Sequence, residues 1–228
     1  MTLETTRTLS TERFNEVRIF LGYLIEQEPN EPATPDSPEF KIQKGLFYVQ
    51  LYSALEKTIN DAVEKALLYI AEKSILASHY SESFYAVVLK DKLKSFKDSG
   101  YKKFFDGAVS IFAETRSQNT VRIDETIFAN SLQNVWAKSI KTIFIVFGKH
   151  DFQLDRSSEL AIDEVVNKRN AVAHGRESAL TVGESHTVAT LQNRYNTIRQ
   201  VCISVIDELE DFCSSQVYIK PEARSNYE

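Results

Sequence analysis

The residues best suited to chemistry lie in one short stretch, Lys168-Arg169-Asn170-Ala171-Val172-Ala173-His174-Gly175. Arg169 and His174 stand five positions apart, and an amide side chain, Asn170, directly follows the arginine. Histidine titrates near neutral pH and can serve as general acid or base. Arginine stays charged and grips phosphate oxygens bidentately, stabilising charge that grows in a transition state. Together they suit the cleavage of an RNA phosphodiester, in which a 2′-hydroxyl loses a proton and attacks the adjacent phosphorus while the leaving 5′-oxygen gains one. That chemistry needs no metal. The plainer alternative is that Arg169 pairs with an acid such as Glu164 and His174 merely helps end a helix.

The element that must position this stretch is a helix over about 158–174. Ser157 and Ser158 are N-cap candidates, Glu159 sits in the first turn, and Leu160, Ile162, Val165, Val166 and Val172 recur at helical spacing. Gly175 suits the position after the helix, because glycine reaches left-handed backbone angles without a Cβ clash. Five residues turn a helix through about 500°, so Arg169 and His174 point roughly 140° apart. One helix therefore does not easily aim both groups at one atom, and a second copy from a dimer partner would help. Asn170 and His174 share a face, which predicts that Asn170 orients the imidazole.

Arg169-Asn170-x-x-x-His174 resembles the R-x4–6-H motif of HEPN domains, in which a polar residue usually follows the arginine. With the earlier stretch Gly45-Leu-Phe-Tyr-Val-Gln-Leu-Tyr-Ser-Ala-Leu-Glu56, it looks like the MAE-type and RiboL-PSP-type HEPN branches of bacterial defence systems. The resemblance covers about residues 40–215. It implies an all-helical, usually dimeric protein and, in many members, a metal-independent endoribonuclease whose two motifs meet at the dimer interface. Arg169 and His174 then match the catalytic pair, and Asn170 the polar position. Some HEPN domains have lost activity and only bind RNA or a partner; this chain keeps both key residues.

The rest of the composition bounds the reading. Apolar residues make up 43% of 228, with only seven Gly and five Pro, which favours long helices over a turn-rich β protein. The net charge of −5 excludes a protein that wraps nucleic acid over its whole surface, so any RNA contact should be local. Cys202 and Cys213, if on one helix, lie about 16 Å apart along it, too far for a disulfide. With a polar start at Met1 to Ser10 and no long apolar run, the expectation is a cytosolic protein. The four histidines lack metal-ligand spacing, no glycine-rich phosphate loop is present, and no cofactor is implied.

Taken in order, Ser10 or Thr11 can cap a first helix that stops before Pro29 and packs on the main bundle. Pro29, Pro32, Pro35 and Pro38 mark an extended linker. One long helix is predicted over about 40–78, with Leu46, Val49, Tyr52, Leu55, Ile59 and Val63 in its stripe. On it, Glu56 either holds Arg169 or His174 in place or is a solvated glutamate, and Tyr52 reads as core. Residues 79–116 read as one broken helix or two, interrupted at Gly100. Lys90, Lys92, Lys94, Lys97, Lys102 and Lys103 crowd there, as an RNA-tracking patch or a solvated face. Tyr101, Phe104 and Phe105 read as core by spacing. An irregular stretch at 117–128 precedes a helix over about 130–147 with Trp136 as a core anchor.

Residues 176–186 are predicted as a loop, in which Arg176 either adds a phosphate contact or is a surface arginine. His186 is a weaker acid–base candidate. A final helix spans 187–214, and a tail follows that frays unless Val217 to Ile219 docks. These expectations amount to an all-α, HEPN-like bundle of five to seven helices around a long central one, dimeric. Residues 1–39 are read as an N-terminal helix and linker, 40–215 as the domain and 216–228 as a tail. The functional expectation is an RNA-cleaving enzyme with an antitoxin or sensor partner; the competing one is a silent helical module that binds RNA or protein.

Overall fold

The computed structural model describes residues 3–29 and 35–227. The middle of the proline-rich stretch therefore lies outside the described residues. All regular structure among the described residues is helical, with two isolated antiparallel bridges, Leu76 to Thr120 and Tyr80 to Ile219. The all-α class and the long central helix expected from the sequence are borne out, with nine α-helices among the described residues rather than five to seven.

The bundle is built around α2 (Pro38–Glu72), 35 residues and so about 50 Å long. Its start is well specified: the Ser37 side chain accepts from Phe40 N–H, and Pro38 occupies the first turn, where its missing donor costs nothing. Phe47, Leu51, Leu55, Ile59, Ala62, Ala66 and Ile70 are buried along it. It ends six residues earlier than expected, with Ser74 at a positive φ of 49°.

Helix α1 (Glu4–Gln27) begins more than a turn before the expected caps, so Ser10 is a buried interior residue whose hydroxyl meets Thr58. Phe14, Val17, Leu21 and Leu24 face the core, and Arg7 bonds Asp207 and Glu210 on the last helix, α9 (Val188–Ser214). Helix α9 starts where expected, capped by the Thr187 hydroxyl. Its stripe from Val188 to Phe212 closes the core against α1 and α2.

Three expectations are corrected in the middle of the chain. Residues 79–116 form α3 (Tyr85–Val88), α4 (Lys90–Asp98) and α5 (Phe104–Glu114), broken at Ser99-Gly100 as predicted. Neither α4 nor α5 has a buried residue, so Tyr101, Phe104 and Phe105 are exposed rather than core. The helix expected over 130–147 is only α6 (Ala137–Val146); residues 125–134 are turns, and Trp136 is its partly buried N-cap.

The tail also docks. Tyr218 and Ile219 are fully buried, Tyr218 joins Phe84 and Phe212 in an aromatic cluster, and Lys220 bonds the Ser78 carbonyl at 2.6 Å. Cys202 and Cys213 are buried free thiols.

Candidate active site

The motif sits at the end of α7 (Arg156–Ala173), which starts two residues earlier than expected. Its cap is Asp155, whose carboxylate accepts from the Ser158 N–H and hydroxyl, rather than either serine. Ala161, Ile162, Val165, Val166 and Ala171 bury one face of α7. The C-terminus closes as the sequence suggests. Gly175 has φ +68°, its N–H bonds the Val172 carbonyl, and Arg176 N–H bonds the Ala171 carbonyl at 2.9 Å. This double closure leaves His174 as the C-cap residue, with its side chain exposed.

Arg169 is held from three sides. Its guanidinium carbon lies 3.8 Å from the centre of the Tyr52 ring, close enough for a cation–π contact. Nη2 meets Glu56 Oε2 at 3.3 Å, and Nη1 donates to Asn170 Oδ1 at 2.7 Å. Arginine has five N–H donors. Those on the remaining positions have no protein acceptor among the described residues. Glu56 is therefore paired with the motif arginine, and the acid that Arg169 meets is not Glu164.

Asn170 does not do what its spacing suggested. Its oxygen is taken by Arg169 and its amide donates to Asn134 Oδ1 at 3.1 Å, so it steadies the arginine rather than the imidazole. Only its backbone carbonyl meets His174, through the helical N–H. The imidazole has no hydrogen-bond partner among the described residues, and Arg176 beyond it is exposed.

The residues that spacing alone did not assign to the site come from α2 and the turns before α6. The Tyr52 hydroxyl donates to the Gln133 carbonyl and accepts from Val135 N–H, both at 3.3 Å. Asn60 donates to the carbonyls of Glu56 and Leu132. Residues 132–135 are thereby pinned to α2, which delivers Asn134 to Asn170. Burial pushes the Tyr52 phenol up to about 12, so it works as a neutral donor. The readable signal was a ladder at four-residue intervals on α2: Lys44, Tyr48, Tyr52, Glu56 and Asn60.

One turn back along that ladder is a second polar cluster. The Tyr48 hydroxyl donates to Glu164 at 3.0 Å, Arg194 bonds the same carboxylate at 2.8 and 2.9 Å, and His186 Nε2 lies 3.3 Å from it. The His186 hydrogen bond, followed by those of Arg194 and Tyr48, lowers the Glu164 carboxyl to about 2. His186 Nδ1 faces the Val182 carbonyl at 2.8 Å, and the ring packs edge-on to Tyr48. Both ring nitrogens are thus engaged within the fold. His186 belongs to α8 and its C-terminal turn, where a loop was expected: α8 (Ala179–Glu184) lies directly against α2 because Gly45 and Gly183 present no side chain.

Among the described residues no helix is long and apolar enough to cross a membrane. No curated protein and no solved structure matches the chain. The sequence model of the RiboL-PSP-HEPN family matches residues 9–214, from within α1 to the end of α9. The match covers most of the chain and includes the whole of the Arg169–His174 motif and the α2 ladder that holds it, and the chain belongs to the RiboL-PSP-HEPN family.

Proposed function

We propose that this chain is a metal-independent endoribonuclease that cleaves single-stranded RNA as a homodimer. Its setting would be phage defence or a toxin–antitoxin system, with an antitoxin or sensor protein as partner. The observation that carries the reading is the state of Arg169: charged, pre-oriented over Tyr52, and keeping N–H donors free for a phosphate. A guanidinium fixed in place before the reaction stabilises developing charge without reorganising at the moment of reaction.

In the proposed step, one His174 takes the proton of the 2′-hydroxyl. The 2′-oxygen bonds to phosphorus, the bond from phosphorus to the 5′-oxygen breaks, and the His174 of the second copy protonates the leaving oxygen. The products are a 2′,3′-cyclic phosphate and a free 5′-hydroxyl. Arg169 takes the charge on the non-bridging oxygens, Asn170 and Glu56 hold Arg169, and Arg176 adds a phosphate contact at the exposed helix end.

The test is incubation of a fluorophore-labelled RNA with wild type and His174→Ala in the presence of EDTA. Cleavage that survives the chelator and vanishes in the variant is the expected result. Undiminished cleavage by the variant removes His174 from the mechanism. RNA binding with no cleavage by either protein leaves the silent binding module as the function.

A further inference from the structure

Hydrogen-bond directions along the chain from Arg169 to Asn134 are fixed by its first member. Arginine carries N–H donors and no acceptor, so the atom that Asn170 offers to Arg169 Nη1 at 2.7 Å must be its oxygen. The Asn170 amide nitrogen then faces Asn134 at 3.1 Å, and a donor there requires the Asn134 oxygen. The NH2 group of Asn134 is thereby turned away from Asn170. It carries two N–H donors, and neither has an acceptor among the described residues.

The backbone that carries Asn134 is held as firmly as the side chain. The Tyr52 hydroxyl donates to the carbonyl just before it, on Gln133, and accepts from the N–H just after it, on Val135. The Asn134 carbonyl itself accepts from Trp136 N–H at 2.9 Å. Three residues beyond Asn134, Ala137 N–H donates to Asp163 of α7 at 3.1 Å. Asp163 and Asn170 are seven positions apart, which is two turns and within about 20° of the same face. Residues 134–137 therefore run along the face of α7 that carries Asn170, with Asn134 at the motif end. The residue is only half-buried, so its free donors are within reach of a ligand.

We propose that Asn134 is a substrate-binding residue, whose NH2 group donates to a phosphate oxygen of the RNA strand that Arg169 grips. An NH2 group recognises only acceptors. The strand offers phosphate oxygens, ribose oxygens and base carbonyls. Phosphate is favoured, because a hydrogen bond to an ionised acceptor is roughly twice as strong as one to a neutral group. The guanidinium that draws the anion is only one amide away. Asn134 and Arg169 then hold the strand at two points, which sets its direction across the site as well as its position. The contact carries no sequence information, as backbone contacts do not. The proposal rests on the RNA-cleaving reading above and adds a residue from outside the motif to its substrate contacts.

The experiment is fluorescence anisotropy with fluorescein-labelled 2′-O-methyl oligouridylate and oligoadenylate, which lack the attacking hydroxyl and stay intact. The proteins are wild type, Asn134→Ala, Asn134→Asp, and Ser131→Asp as an exposed control for added charge on the same turns. Asn134→Asp keeps an oxygen for Asn170 but replaces the NH2 group with a second, charged oxygen. Binding is expected to fall about tenfold in Asn134→Ala, and further in Asn134→Asp, equally on both strands and with Ser131→Asp near wild type. An Asn134→Asp that binds like wild type means that Asn134 only steadies Asn170, and overturns the proposal. Equal losses in Asn134→Asp and Ser131→Asp, a loss confined to one base, or a wild type that binds neither strand overturn it as well. In labelled wild type the Asn134 side-chain amide resonance should shift when oligouridylate is added; an unmoved resonance overturns the contact even where a variant misfolds. Binding and cleavage separate the two readings. Binding that depends on Asn134 without any cleavage sinks only the nuclease, and cleavage with unchanged binding by Asn134→Asp sinks only the contact.

Discussion

Replacing Asn170 by alanine tests which of its neighbours the amide serves. In the structure the side chain accepts a 2.7 Å bond from Arg169 and donates to Asn134. A hydrogen bond to a charged group contributes about 1.5–3 kcal/mol. Glu56 and the Tyr52 ring still hold the guanidinium in the variant, so about half of that should be lost from transition-state stabilisation. At 1.36 kcal/mol per factor of ten, the expected fall in kcat/KM is about four- to thirteenfold. The assay is initial-rate cleavage of a labelled RNA across pH 5–9, well below the unfolding temperature. The profile should drop without changing shape, because no proton-transfer group has lost a partner. Asn170→Asp, which keeps an acceptor for Arg169, should lie nearer wild type than alanine does. A displaced acid or base limb in Asn170→Ala would show that the amide acts on His174 instead, and a fully active variant would show that Arg169 needs no tether.

Other outcomes follow from the scaffold. The Glu164 carboxyl falls from 4.5 to about 2 in the fold, so its stabilising effect is complete above the unfolded value and is lost as pH drops toward 2. Discounted for partial exposure, that effect is on the order of 1–2 kcal/mol. Urea midpoints of wild type and Glu164→Gln should therefore differ most near neutrality and converge between about pH 4.5 and 2; a gap independent of pH would contradict the assignment. Gly183→Ala should destabilise by at least about 2 kcal/mol in urea melts, because its Cβ would collide with the Lys41 carbonyl of α2. A gain of about 1 kcal/mol, as helix propensity alone dictates, would mean that α8 does not lie against α2.

Much of this was legible because period and punctuation are local. The stripes of α2, α7 and α9 reveal most of their buried faces, although Leu46 and Leu160, which fit the period, are exposed, and the Thr187 cap and Gly175 terminus are set by chemistry within a few residues. Contacts made across the chain were not. Nothing near Asn134 says that it will meet Asn170; the turns that carry it read as a continuation of α6, since Leu132 and Val135 fit a helical stripe. Tyr52 read as core, and it is buried, yet its ring also seats the guanidinium. The segment of α4 and α5 failed for a different reason. A run such as Phe105, Val109 and Phe112 states that one face is apolar but not whether the chain covers it. A buried stripe and a bare one leave the same pattern.

The two motif residues are unequally prepared. Arg169 has already lost much of the rotamer freedom of a long side chain, worth up to ~2 kcal/mol, to Tyr52, Glu56 and Asn170. His174 has no such support: helix α7 closes at its backbone and leaves the imidazole exposed. A general acid or base must be held within hydrogen-bond reach of its proton, so in the proposed mechanism the constraint that the described residues do not give His174 comes from RNA or from a second copy. RNA alone can provide it only at the cost of ordering the ring during binding, whereas a second copy can order it beforehand. On that logic a variant that splits the proposed dimer should lose kcat far more than it weakens RNA binding. Equal losses in both would mean that the imidazole is organised by the substrate.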